Sequence, residues 1–218
     1  MVLTLFNQKG GAGKSTLALS LAWELMLRKN RVLIADADPQ ETCLDTIAKA
    51  EREGRAAPQC ERFGDDMHRV LPGKAQAFDW VIIDTPGRLA KVSRAALAVS
   101  DVALVPVRPS APDAWALDET LALVSEAWRV RPELHAAIVL TQVRRTLLGA
   151  AASEGLKVLS KDFAIPLLEH CTHTRTAWEW ALYLGKGVTE HEPDGPAAEE
   201  LRGILGEVEK RFTKGKRR

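Results

Sequence analysis

Three observations predict a doubly wound α/β fold, with a mainly parallel sheet and helices on both faces. Short β-branched and aliphatic runs alternate with longer helical stretches, which is the pattern of a parallel sheet covered by crossover helices. The first run leads directly into a glycine-rich turn and then a helix. That helix, beginning at Ser15, is apolar on nearly every side (Leu17, Leu19, Leu21, Trp23, Leu25, Met26), as befits a segment buried between a sheet and its neighbours.

In chain order, the expected strands cover 2–6, 31–35, 80–83, 102–107 and 136–140. Helices are expected over 15–29, 41–53, 88–99, 113–130 and 148–161. Beyond residue 163 the pattern becomes a short apolar run, a helix over 174–184 and a break at Gly185 and Gly187. A turn at Pro193-Asp194-Gly195-Pro196 follows, then a last helix carrying Leu201, Ile204, Leu205, Val208 and Phe212 on one face. The stretch 54–77 has little periodicity and is read as mixed. Without an internal repeat or a low-complexity linker, 1–218 is read as one domain with a basic tail over 210–218.

Composition narrows the function classes. With 218 residues, 46% hydrophobic and 27% charged, the chain affords a large core and does not read as disordered, collagen-like or disulfide-stapled. The formal net charge of +1 sets up no global field toward nucleic acid or an acidic substrate, so any basic surface is local. Cys43, Cys60 and Cys171 are far apart and odd in number, giving neither a disulfide framework nor a CxxC pair, and the cytoplasm is the expected compartment. No apolar run approaches the roughly 18 residues of a membrane span. The opening MVLTLFNQKGG is too short, and lacks the preceding positive charge, for a secretory signal.

The sharpest signal is Gln8-Lys9-Gly10-Gly11-Ala12-Gly13-Lys14-Ser15-Thr16, placed between the first strand and the first helix. Such a loop wraps backbone N–H groups around phosphate oxygens and adds the positive end of a helix. Gly10, Gly11 and Gly13 permit the tight backbone, Lys14 supplies charge to the β- and γ-phosphates, and Ser15 is a magnesium ligand; Ala12 and Thr16 complete the cradle. Gln8 replaces the first glycine of the regular spacing, and a second lysine, Lys9, precedes Lys14 by five residues. The glycine spacing of a dinucleotide site is absent, so a nucleoside triphosphate with its metal is preferred.

Two expected strands end in carboxylates, at Asp36-Ala37-Asp38-Pro39-Gln40 and Asp84-Thr85-Pro86-Gly87. Ligands of open α/β sheets bind beyond the carboxyl ends of the strands, so Asp36, Asp38 and Asp84 should converge on the loop, where Mg²⁺ needs hard oxygen ligands. Asp84 is the expected metal-shell residue, acting through water, with Asp36 beside it. Asp38 is placed to orient or deprotonate the attacking water, and the Gly87 N–H to sense the γ-phosphate. The competing reading is that these aspartates cap the following helices.

These residues resemble the ParA/MinD group of deviant Walker-type ATPases, whose lysine-glycine-glycine-x-glycine-lysine-serine/threonine loop is matched by Lys9 to Ser15. Asn7-Gln8, Asp36 to Gln40, Asp84 to Gly87, Arg108 to Asp113 and the Arg175-Thr176-Ala177 stretch look like ParA partition proteins in particular, in the short form without a helix-turn-helix domain. The resemblance implies an ATP-sandwich homodimer. Lys9 would reach across to the partner's phosphates, Lys14 would serve its own nucleotide, and Asp38 would position the lytic water. It also implies that the ATP dimer binds DNA without sequence preference, and that a ParB-like partner stimulates a slow hydrolysis so that cargo is moved over the nucleoid. Thr141 stands where the family often has an adenine-contacting asparagine.

Local basic surface is expected at the C-terminal run Lys210, Arg211, Lys214, Lys216, Arg217 and Arg218, and at Arg144, Arg145 and Arg175, as DNA-phosphate contacts. A MinD-like membrane helix is the rival for the last helix. It is disfavoured by Glu199, Glu200, Glu207 and Glu209, so its apolar stripe is expected to pack on its own domain. His170-Cys171-Thr172-His173 lacks a fourth ligand for a metal. A third function class is an ATP-dependent ligase activating a small carboxylic acid on a related fold.

Overall fold

The computed structural model describes residues 1–88, 90–144 and 147–213. The first half runs β1 (Val2–Leu5), α1 (Lys14–Leu27), β2 (Val32–Asp36), α2 (Thr42–Arg52), β3 (Gln59–Arg62), α3 (Met67–Ala75), β4 (Trp80–Asp84) and α4 (Ala90–Val99). The second half runs β5 (Val102–Val107), α5 (Ala111–Val130), β6 (His135–Leu140), α6 (Leu147–Asp162), α7 (Thr176–Tyr183), α8 (Val188–His191) and α9 (Pro196–Phe212). Among the described residues the strands form one all-parallel sheet in the order β3-β2-β4-β1-β5-β6.

Alternation along the strands builds two apolar faces. Leu3, Leu5, Ile34, Ile82 and Leu104 face α1, α2, α7 and α9, with Trp23 of α1 fully buried among them. Leu33, Ala35, Val81 and Ile83 face α3 and α4, while Ala103, Val105, Val107 and Ile138 face α5 and α6. The helices therefore cover both faces, as the alternation in the sequence predicts. The apolar stripe of α9 (Leu201, Ile204, Leu205, Val208) is buried against the first of these faces.

Within the mixed stretch 54–77 the structure has β3 and α3, which no periodicity announces. β3 is an edge strand of sequence QCER with no fully buried residue, so burial leaves no apolar signature on it. α3 carries Pro72 in its interior, a residue that reads as a breaker, yet Met67 and Leu71 anchor it in the core.

All carboxyl strand ends open on one edge of the sheet, and the register aligns them. Asp36 lies beside Asp84 on neighbouring strands, and Asp84 beside Leu5, whose strand continues into the glycine loop.

Candidate functional site

The loop after β1 is clasped from beneath by Asn7, which is 1% exposed. Its Nδ2 donates to the Pro106 carbonyl at 2.7 Å, while its Oδ1 accepts the Lys9 amide at 2.8 Å and the Thr120 hydroxyl at 3.1 Å. Gly11 and Gly13 take φ values of 76° and 85°, a region that side chains resist, and this turns the chain into α1. Lys14 opens that helix and its Nζ reaches back to the Lys9 carbonyl at 3.3 Å. Burial lowers the Lys14 ammonium pKa, against the pull of Asp84 and Asp38. The ammonium is thus held where a phosphate would complete its solvation.

From the other side, the segment after β6 grips the loop. The Thr141 hydroxyl donates to the Ala12 carbonyl at 2.9 Å and the Gln142 Nε2 to the Gly11 carbonyl at 3.0 Å. A cleft of about 810 Å³ opens above, lined among others by Lys9, Lys14, Ser15, Asp38, Gly87 and Arg88. Gly87 lies so close to the loop that a Cβ there would stand 3.1 Å from the Gln8 carbonyl oxygen and 3.2 Å from the Gly10 nitrogen.

The three carboxylates differ in what they have left to offer. Asp36 accepts the Cys43 and Leu44 amides with Oδ2 and the Asp38 amide with Oδ1, each at 3.1 Å. Cys43 and Leu44 belong to the first turn of α2, so Asp36 does the capping work of the competing reading and its oxygens are already occupied. Asp38 is half-buried and spends Oδ1 on the Gln40 amide at 3.0 Å. Asp84 is fully buried; the Cys43 thiol lies 3.4 Å from its Oδ2, and its Oδ1 has no hydrogen-bond partner. Burial, reinforced by Asp36, pushes its carboxyl up to about 7 against the pull of Ser15, Cys43 and Lys14. An orphaned carboxylate oxygen near Ser15, which lines the larger cleft, fits a magnesium site.

Beside Gly13, on the far side of Thr141, lies a second cleft of about 160 Å³. Thr16, Gln142, His173, Thr174, Arg175 and Trp178 are among its lining residues. Thr141 lines this cleft too, although its hydroxyl is committed to the loop. Asn7 and Gln142 as supports of the loop, and Arg88, His173, Thr174 and Trp178 as cleft-lining residues, emerge from the structure rather than from a sequence motif. Asn7 carries the one local signal, an amide ending an apolar strand just ahead of the glycines.

Lys9 differs from Lys14. Among the described residues its ammonium has no hydrogen-bond or ion-pair partner, and Lys9 also lines a neighbouring hollow with Gln8, Arg88, Ser93, Ala116 and Glu119. Trp115, next in the chain to Ala116, is 75% exposed.

Of the expected DNA contacts, Arg145, Lys214, Lys216, Arg217 and Arg218 lie outside the described residues. Arg144 is exposed in a hollow with Val143, His173, Thr174 and Arg175, and Lys210 is exposed near the end of α9. Arg175 and Arg211 are engaged, pairing with Glu200 at 2.6 Å and Glu207 at 2.5 Å. His170 and His173 turn their Nδ1 atoms to the same two carboxylates.

Residues 3–177 match the family model described as the CobQ/CobB/MinD/ParA nucleotide binding domain. The chain is 29% identical over 209 residues to the maintenance of carboxysome distribution protein A of Halothiobacillus neapolitanus, covering 94% of this chain and 95% of the relative. It is 26% identical over 243 residues to the chromosome-partitioning ATPase Soj of Thermus thermophilus, covering 94% of each. The fold superposes on that of Cyanothece apo McdA with a TM-score of 0.71 at 18% identity, over 95% of this chain and 98% of the other.

Proposed function

The chain belongs to the CobQ/CobB/MinD/ParA nucleotide-binding family, and on that footing we propose that it is a ParA-type ATPase whose ATP-bound homodimer holds DNA without sequence preference and positions a cargo. The observation that carries this reading is the Lys9 ammonium, which among the described residues has no partner, beside a cleft whose other lysine, Lys14, is held by the Lys9 carbonyl. A charge of that kind suits the nucleotide of a second copy, and exposed Trp115 beside the same hollow supplies apolar surface for the contact.

Within one copy, Lys14 and the amides from Gly10 to Thr16 bind the phosphates, and Gly87 and Arg88 close the cleft from the switch side. A magnesium ion would be held by Ser15 and Asp84, where it would neutralise charge on the β- and γ-phosphates. Asp36 holds the turn that carries Asp38. Asp38, with one oxygen fixed by the Gln40 amide, uses the other to position the attacking water. The smaller cleft beside Gly13 receives the adenine base.

Dimerisation gates DNA affinity because two weak basic faces, held together, act bivalently. Arg144 and Lys210 are exposed contributors within the described residues, beside an exposed Arg211 that pairs with Glu207, and the terminal run would add to them. A ParB-like partner or cargo adaptor would stimulate an otherwise slow hydrolysis, and the protein would work in the cytoplasm on the nucleoid. The membrane-surface reading is weakened by the burial of the α9 stripe, which leaves that helix no apolar face for lipid.

The test is light scattering and DNA retention with Asp38→Ala saturated with Mg-ATP. A dimer that retains DNA in a salt-dependent way, lost in Lys9→Ala while nucleotide still binds, supports the reading. Monomers under ATP, or recruitment to anionic liposomes in place of DNA, would overturn it. ATP turnover that requires a small carboxylic acid would favour the ligase class.

A further inference from the structure

The wall of the smaller cleft is held by a helix that contributes nothing to its lining. Glu200 and Glu207 of α9 are seven residues apart and share one helix face. Together they grip the segment 169–175. Glu207 accepts the Glu169 amide at 3.0 Å and the His170 amide at 3.2 Å, and its Oε2 lies 3.2 Å from the His170 Nδ1. Glu200 accepts the His173 amide at 3.0 Å, the Arg175 Nε at 3.0 Å and an Arg175 terminal nitrogen at 2.6 Å, and its Oε1 lies 2.8 Å from the His173 Nδ1.

The opposite side of the same segment is tied to the end of β6. The Thr172 amide donates to the Leu140 carbonyl at 3.0 Å, Val143 to Thr172 at 2.9 Å, and Thr174 to Val143 at 3.1 Å. Thr141 and Gln142, at that strand end, grip the glycine loop with their own side chains, while the Gln142 backbone is bonded to the Thr172 and Thr174 hydroxyls. The two carboxylates therefore act at different places. Glu207 holds residues 169 and 170, which do not line the cleft, whereas Glu200 holds His173 and Arg175, which do.

We infer that Glu200 is the positioning residue that fixes the His173–Arg175 wall and thereby sets which purine the site accepts. The inference rests on the nucleotide reading above and deepens it. Charge-assisted bonds to a guanidinium and an imidazole are strong and directional, so losing their acceptor frees the wall. The loop keeps its own clasps, and the binding of phosphates should survive. Base discrimination depends on polar groups being held in register with the edge of the base, and it is what a loosened wall would lose.

The test is calorimetric binding of Mg-ATP, Mg-GTP and Mg-tripolyphosphate to the wild type, Glu200→Ala, Glu200→Gln and Glu207→Ala. The wild type should prefer ATP to GTP. Glu200→Ala should lose about tenfold or more in ATP affinity and narrow the ATP/GTP ratio, with tripolyphosphate unchanged within about twofold. Glu200→Gln, which keeps an acceptor oxygen, should fall between, and it carries the test if Glu200→Ala does not fold. Glu207→Ala should keep the wild-type ratio. An unchanged ratio in Glu200→Ala, a parallel loss of tripolyphosphate, or an equal effect in Glu207→Ala would overturn the inference. Wild-type protein that binds tripolyphosphate but gains nothing from a base would refute the base cleft alone; if it binds neither, the nucleotide reading falls and this inference with it.

Discussion

The Thr141 hydroxyl donates to the carbonyl oxygen of Ala12 at 2.9 Å, joining the end of β6 to the middle of the glycine loop across 129 residues of chain. Both residues are buried, Ala12 completely. Thr141→Val keeps the shape of the side chain and removes the donor, leaving a buried carbonyl unpaired. The cost should be about 1–3 kcal/mol, read as a lower unfolding free energy in urea, together with weaker nucleotide binding from a less ordered loop. Thr141→Ser should restore most of both; if Thr141→Val is as stable as the wild type, the clasp does not hold the loop.

Gly87 lies close against the glycine loop, and the atoms that a Cβ there would crowd are backbone, at 3.1 and 3.2 Å. A shift of a few tenths of an ångström in that backbone relieves the contact, but it disturbs the amides that would cradle a phosphate. Gly87→Ala should therefore leave the nucleotide-free protein nearly as stable as the wild type, while displacing the Gln8–Gly10 backbone and weakening nucleotide binding by about tenfold or more. Calorimetric titration beside a thermal melt checks it; unaltered affinity would show that the loop relaxes without cost.

The parts legible in the sequence are those where local chemistry forces a residue type. The glycine loop shows because left-handed turns at Gly11 and Gly13 exclude side chains, and the acidic strand ends show because carboxylates rarely interrupt apolar strands for packing reasons. Asp36 looks identical to Asp84 by this criterion. Only the structure separates them, since the Cys43, Leu44 and Asp38 amides occupy the two oxygens of one while the other keeps an orphan. β3 escaped because an exposed edge strand carries no apolar pattern. The wall of the smaller cleft escaped for another reason: His173 and Arg175 acquire their positions from Glu200, 27 and 25 residues away, and no spacing rule encodes that.

Gly187 packs directly against Trp23 of the core. A Cβ at this position would stand 2.3 Å from the Trp23 Cβ and 2.8 Å from its Cγ. Trp23 is wholly buried in α1, and its Cβ is fixed by the helix backbone, so rotation of the ring cannot relieve the contact. Gly187→Ala should destabilise the protein by about 1–3 kcal/mol or more, by overpacking. Because α1 begins at the phosphate loop, nucleotide affinity should fall with it. Chemical denaturation gives the first quantity; a wild-type midpoint would mean that the α7–α8 connection shifts freely.

Asp84 gives the protein a pH dependence whose sign can be worked out. Burial, with Asp36 adding to it, raises its carboxyl to about 7 in the folded chain, against about 3.9 for an unfolded aspartate. Between those values the folded state holds a proton that the unfolded state has released, so unfolding becomes easier as pH rises across the window, and the effect levels off above about 7. An asparagine at the same place cannot titrate. From about pH 5 to about pH 8 the nucleotide-free wild type should lose stability relative to Asp84→Asn, with most of the divergence complete near neutrality. Urea denaturation of both proteins across that range measures it. Parallel curves would show that Asp84 is already ionised in the folded chain at the acid end, with its unpartnered oxygen solvated in a way the fold does not suggest.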